Sequence, residues 1–242
     1  MAAWRPALVW GLASSIAALL VVPYLLSLLP GPPPLPVAAL AVLLAVQTGA
    51  TAFVLGWAGT AAGRRLGVGS PWLEARLRGE RPPLPRSLGR VALLGGLVGL
   101  GIAGLDLVFA PWMPPALGGE LPRPSPWHGL LASFYGGVAE EVLTRLGLAT
   151  VIAWIAARIA GRRAGLAVGV VVAALLFGAL HLPAAAQVWP WTGVVVARTL
   201  VLNGVPGLLF GAVYVGRGLE HAIAAHFAAD LVLHVLLPAL LA

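Results

Sequence analysis

Four side chains in the second half of this chain could share a single water molecule. Glu140, His181, His226 and Asp230 are an acid, two imidazoles and a second acid, each set in an apolar stretch. A carboxylate shielded from bulk water gains proton affinity, which suits a general base working near neutral pH. One imidazole can orient the same water, and a second, alone or with a metal, can stabilise a developing oxyanion. Hydrolysis is the chemistry this set points to. The chain has no cysteine, so thiolate nucleophiles, disulfides and Cys-type metal sites are excluded. It also lacks a Gly-x-Ser-x-Gly elbow.

Local spacing gives these residues different parts. Glu140, Glu141 and Arg145 fall within six residues of one apolar run, where each central ionised group costs about 2.5–3.5 kcal/mol to insert in a membrane. In an α-helix Glu141 and Arg145 lie one turn apart on nearly one face, in the favourable acid-before-base order. Glu140 then points about 140° away from Arg145 and is left to face a cavity. His181 follows Phe177 by one turn, at the end of its run. His226 and Asp230 are at i and i+4, and His234 continues the stripe. The blander reading is a stabilising buried network in which Asp230 only fixes the His226 tautomer. His221 lies about 140° off that stripe, as a cap or facing water, and His128 reads as interfacial.

These side chains must be positioned by membrane helices. Of the 242 residues 60% are hydrophobic and 10% charged, with a mean hydropathy of +0.96. A soluble domain needs far more charge to cover its surface. Apolar runs repeatedly reach the roughly 20 residues that span a bilayer core. The expected fold is all-α, a polytopic transmembrane bundle of about eight spans forming one domain over residues 1–242.

The spans read as Ala7–Leu29, Val37–Ala62, Val91–Ala110, His128–Ala157, Ala164–His181, a short pair near Trp191–Leu202 and Val205–Val215, and Leu219–Leu240. The first is too long for a signal core and lacks a clear cleavage site, so it reads as retained. Asn203, Gly204 and Pro206 blur the sixth and seventh. Trp112, Trp127, Trp189 and Trp191 sit where interfacial aromatics belong.

All fifteen basic residues are arginine, and net charge is +7. Seven arginines lie between 64 and 90 and three at 158–163. This clustering between apolar runs fits the positive-inside rule better than nucleic-acid binding. With those segments and Arg5 cytoplasmic, eight spans place both chain ends inside, eleven of the fifteen arginines there, and Arg123 and Arg217 outside. A bacterial inner or plasma membrane is the expected location. The turn at 158–163 is centred between Ala160 and Gly161, equally far in sequence from Glu140 and His181. Antiparallel helices leaving that turn bring both to one depth, roughly 27 Å from the flanking arginines.

In order, Glu140-Glu141-x-x-x-Arg145, Phe177-x-x-x-His181 and His226-x-x-x-Asp230 resemble the three motifs of the CPBP intramembrane proteases. That family includes the CAAX-processing endopeptidases and bacteriocin-immunity relatives. The resemblance covers about residues 128–240. It implies an eight-helix protease core in which Glu140 and His181 activate water and His226 with Asp230 completes the site. Glu141, Arg145 and Phe177 are then supporting residues. Asn is frequent where this chain has Asp230. An ionised Asp only accepts hydrogen bonds, so Asp230 either stays protonated or belongs with a cation. Family members are described both with and without metal, so zinc is left open, with His181, His226 and Asp230 as its ligands if present.

The leading reading is an intramembrane endopeptidase whose partners are membrane lipid and a membrane-associated peptide or protein. A proton- or cation-coupled transporter would use the same polar residues together with Asp106 and Arg198, but no inverted repeat is visible. A non-catalytic scaffold or immunity protein of the same fold is the third reading.

Overall fold

A computed structural model describes residues 1–29, 31–119, 121 and 124–241. Arg123, expected opposite the arginine-rich segments, lies outside the described residues. Every regular element among the described residues is helical: α1 (Trp4–Leu28), α2 (Val37–Leu66), α3 (Pro71–Leu77), α4 (Leu88–Phe109), α5 (Pro126–Phe134), α6 (Thr150–Leu180), α7 (Leu182–Val188), α8 (Gly193–Arg217), α9 (Leu219–Leu231) and α10 (Leu237–Leu241). Among the described residues six stretches are long and apolar enough to cross a membrane, and the fourth, Pro126–Val188, has 63 residues.

That stretch turns back on itself. Gly161 has φ 78° and ψ 167°, a conformation open chiefly to glycine. Beyond it, Gly165 and Gly169 lie against Ala153 and Ala149, so the two arms are antiparallel. The reversal falls where the arginine turn was expected. Between α5 and α6 the backbone is π-helical, over Tyr135–Glu140 and Val142–Ala149, and again over Val232–Leu236 after α9. These wide turns bond i to i+5, are rare, and occur often at functional sites.

The expected sixth and seventh spans are one helix. α8 runs through Asn203 and Gly204 with Pro206 buried inside it. A membrane helix tolerates an internal proline because neighbouring groups satisfy the freed backbone. Asn203 turns its Nδ2–H back to the Thr199 carbonyl at 2.8 Å. Among the described residues the bundle therefore has seven long rods once the stretch folded at Gly161 is counted as two.

This moves two expectations. Arg217, at the end of α8, lines the same recess as Gly67, Glu74 and Arg78, so it joins the arginine-rich end rather than facing away from it. Met1 accepts a hydrogen bond from Arg64 at 2.7 Å, whereas His234, near the far end of the last rod, packs on Tyr24 near the far end of α1. Met1 and Leu241 thus lie at opposite ends of the bundle, and the expectation of both on one side does not hold.

The arginine end is tied together by polar contacts. Glu220, in the first turn of α9, accepts from Ser70 Oγ (2.6 Å) and Leu73 N (2.9 Å). Arg162 donates to the Leu66 carbonyl at 2.7 Å. His221 is buried, not in water, and its Nε2 lies 2.9 Å from Ser87 Oγ. Large apolar side chains such as Leu93, Leu107 and Leu180 stand exposed on the outer faces, as rods solvated by lipid require.

α9 is bedded on glycines. A Cβ at Gly95 or Gly99 of α4 would run into the Ala225 or Ala229 carbonyl. These absences let α9 approach closely enough for its stripe to reach the π-helical stretch.

A candidate active site among four helices

Glu141 forms the base of the site. It is fully buried, and its Oε1 takes Arg145 Nη1 at 3.0 Å and His226 Nδ1 at 2.8 Å. Arg145 also donates to Thr144 Oγ1 and, at 3.4 Å, to the Gly207 carbonyl of α8. Its guanidinium lies 4.9 Å from the Phe177 ring and 5.8 Å from that of Phe210, distances suited to cation–π attraction. The Glu141–Arg145 pair expected from i,i+4 spacing is present, and it forms within a π-helical stretch.

Glu140 points elsewhere. Its Oε1 is 3.9 Å from His181 Nε2 and its Oε2 is 3.9 Å from His226 Nε2. Each imidazole is held by its other nitrogen. His181 Nδ1 lies 2.7 Å from the Phe177 carbonyl, which can only accept, so that nitrogen carries the proton. His226 Nδ1 likewise faces the Glu141 carboxylate. Both Nε2 atoms are thereby turned towards Glu140. Phe177 meets His181 edge-on at 4.6 Å, and Phe210 stacks on His226 at 4.8 Å and 24°.

Asp230 lies beyond His226, its Oδ1 3.6 Å from His226 Nε2 and 4.0 Å from His234 Nε2. Residues 140, 181, 226 and 230 come from the π-helical stretch, the end of α6 and the second half of α9, so the structure brings the four together. Glu140 and His181 are at one depth, as the equal spacing from the turn requires.

Sequence reasoning passed over Gly136 and Phe210. A Cβ at Gly136 would strike the Asp230 carboxylate and come within 3.3 Å of His226 Nε2. The Gly136–Gly137 doublet one turn before Glu140 was a readable signal for that closeness. Nothing in the sequence marks Phe210 among the other apolar residues of α8.

Two imidazoles anchored through Nδ1 with Nε2 free have the orientation in which histidines bind metals. Yet among the described residues no group of three His, Asp or Glu side chains is gathered so as to hold an ion. His181, His226 and Asp230 do not form a cage as they stand.

Asp106 and Arg198, the charges left over from the site, pair with each other at 2.6 Å between α4 and α8. The Arg198 guanidinium also lies over Trp189 at 4.7 Å. They take no part in the Glu140 cluster.

Residues 122–232 match the family model described as type II CAAX prenyl endopeptidase Rce1-like. The matched stretch is of the CAAX protease family. It holds both π-helical segments before α6, the reversal at Gly161, and the whole of α9, and it agrees with the CPBP resemblance of the three motifs. No curated protein and no solved structure matches the chain. The similarity of this stretch, just under half of the chain, and the apolar helices support an integral membrane protein with a protease kind of function.

Proposed function

We propose that the chain is an intramembrane endopeptidase in which Glu140 is the general base and later the general acid. The observation that carries this reading is the pair of anchored imidazoles, each presenting Nε2 to a different oxygen of Glu140 at 3.9 Å. A gap of that size between heavy atoms suits an intervening water better than a direct hydrogen bond.

A water held by Glu140 and His181 Nε2 gives one proton to Glu140 as its oxygen attacks the scissile carbonyl carbon. The carbonyl π bond opens, and the negative charge on its oxygen is met by His226, which donates from Nε2 when doubly protonated. Glu141 holds that ring through Nδ1, and Asp230 lies beside Nε2. When the tetrahedral centre collapses, the C–N bond breaks and Glu140 returns its proton to the leaving amine. One water is consumed, and Glu140 ends as it began.

Glu141 and Arg145 act through His226 and are positioning residues. The substrate fitting a site at this depth is a peptide tethered to, or threaded into, the membrane. Cleavage of a membrane-anchored reporter peptide by purified protein in liposomes is the test. Cleavage that is abolished by Glu140→Gln supports the proposal; undiminished cleavage by that variant overturns it. Metal content of the active protein, with activity after chelation, decides whether a cation joins His181, His226 and Asp230. Full activity in metal-free protein would remove that expectation.

A further inference from the structure

Between α4 and α8, on the outer side of the bundle, runs an apolar crevice of about 640 Å³ lined by Leu94, Val98, Leu209, Phe210 and Val213, with Ala225 of α9 as part of its wall. This lies within the usual range of small-molecule sites. Its end at the arginine-rich face is formed by Gly216 and Arg217. On the other wall, Arg90 stands one turn before Leu94 and two before Val98, hence on the same face of α4. Each wall is therefore headed by an arginine.

We propose that this crevice binds an anionic phospholipid, with an acyl chain along Phe210 and the phosphate between Arg90 and Arg217. Charge complementarity selects that occupant. Arg64, Arg78, Arg145 and Arg198 are all in ion pairs, whereas Arg90 and Arg217 are in none among the described residues. Glu220, the acid nearest Arg217 in sequence, is turned to Ser70 and the Leu73 amide. Basic pockets between membrane helices at this level hold acidic headgroups. At Gly216 a side chain would meet nothing within 4 Å, which keeps the mouth of the crevice open. Phe210 has one face on His226 and also lines the crevice, so a bound chain would brace the ring that supports His226. Lipid binding itself does not depend on the hydrolytic reading.

The full-length protein in nanodiscs of phosphatidylcholine, with and without phosphatidylglycerol, tests this by native mass spectrometry of retained lipid. Preferential retention of phosphatidylglycerol is expected, falling about fivefold for each of Arg90→Gln and Arg217→Gln. Gly216→Leu, which fills the mouth and leaves every charge in place, is expected to reduce retention too; thermal unfolding checks that each variant is folded. Three results would overturn the proposal: equal retention of the two lipids, loss in the arginine variants but not in Gly216→Leu, or one-for-one displacement by a lipid-tailed peptide. The second would mean surface attraction only, and the third would give the crevice to substrate.

Discussion

Replacing Glu140 by Gln keeps the shape of the side chain and removes the charge that would accept a proton. Cleavage of the reporter peptide should fall about 10²–10⁴-fold with no loss in thermal stability, because the Glu140 carboxylate makes only long polar contacts. Its neighbour should behave in the opposite way. Glu141→Gln leaves the Arg145 charge buried without its partner, a change that costs about 3–5 kcal/mol, and chemical unfolding should report it directly. The division between the two acids was legible in the sequence, since only Glu141 has a base one turn ahead. That Glu141 also anchors His226 was not, because the two are 85 residues apart and only the packing of α9 makes them neighbours. The tautomer of His181 was likewise hidden, as it depends on a carbonyl acceptor.

The glycines separate packing from chemistry among the helices. At Gly95 an added Cβ meets the backbone of α9, which cannot give way locally. Gly95→Ala should cost about 1–3 kcal/mol and lower the unfolding temperature. At Gly136 the Cβ meets the end of the Asp230 side chain, which can swing aside. Gly136→Ala should therefore leave the unfolding temperature nearly unchanged while lowering kcat, and the ratio of the two effects in the paired variants is the measurement. Hydropathy located most rods, and the arginine turn located the reversal at Gly161. It failed at Asn203–Pro206, where polar and cyclic residues read as a break. Asn203 satisfies its own polar group on the preceding turn, so the interruption is chemical but not structural. The π-helical stretches were invisible too, since the Glu141–Arg145 spacing is as compatible with them as with an α-helix.

Across the whole molecule, an odd number of long rods separates the two ends of the chain. The chain contains no cysteine, so single cysteines placed at Glu80 and Leu241 can be labelled in intact vesicles without further changes. They should react from opposite sides, with the arginine-rich side cytoplasmic. Labelling of both from one side would contradict the arrangement of α1 and α9. The Asp106–Arg198 pair bears on the transporter reading at this scale. Asp106→Asn should leave peptide cleavage within about twofold, as expected for a pair that makes only a modest net contribution. Proteoliposomes showing proton flux that is lost in this variant would favour transport instead. The arginine pattern was enough to group the 64–90 and 158–163 segments at one end of the bundle. It could not settle the side of Arg217, which depends on whether the chain crosses once or twice between Trp191 and Gly218.

The π-helical stretches carry one more consequence. Tyr135–Ala149 lies among the deepest parts of the bundle, yet its peptide groups are linked in wide i to i+5 turns rather than α-helical ones. Deuterium should enter the amides of this buried stretch sooner than those in the middle of α6 or α8, which would give the region that carries Glu140 enough give to wrap an extended peptide.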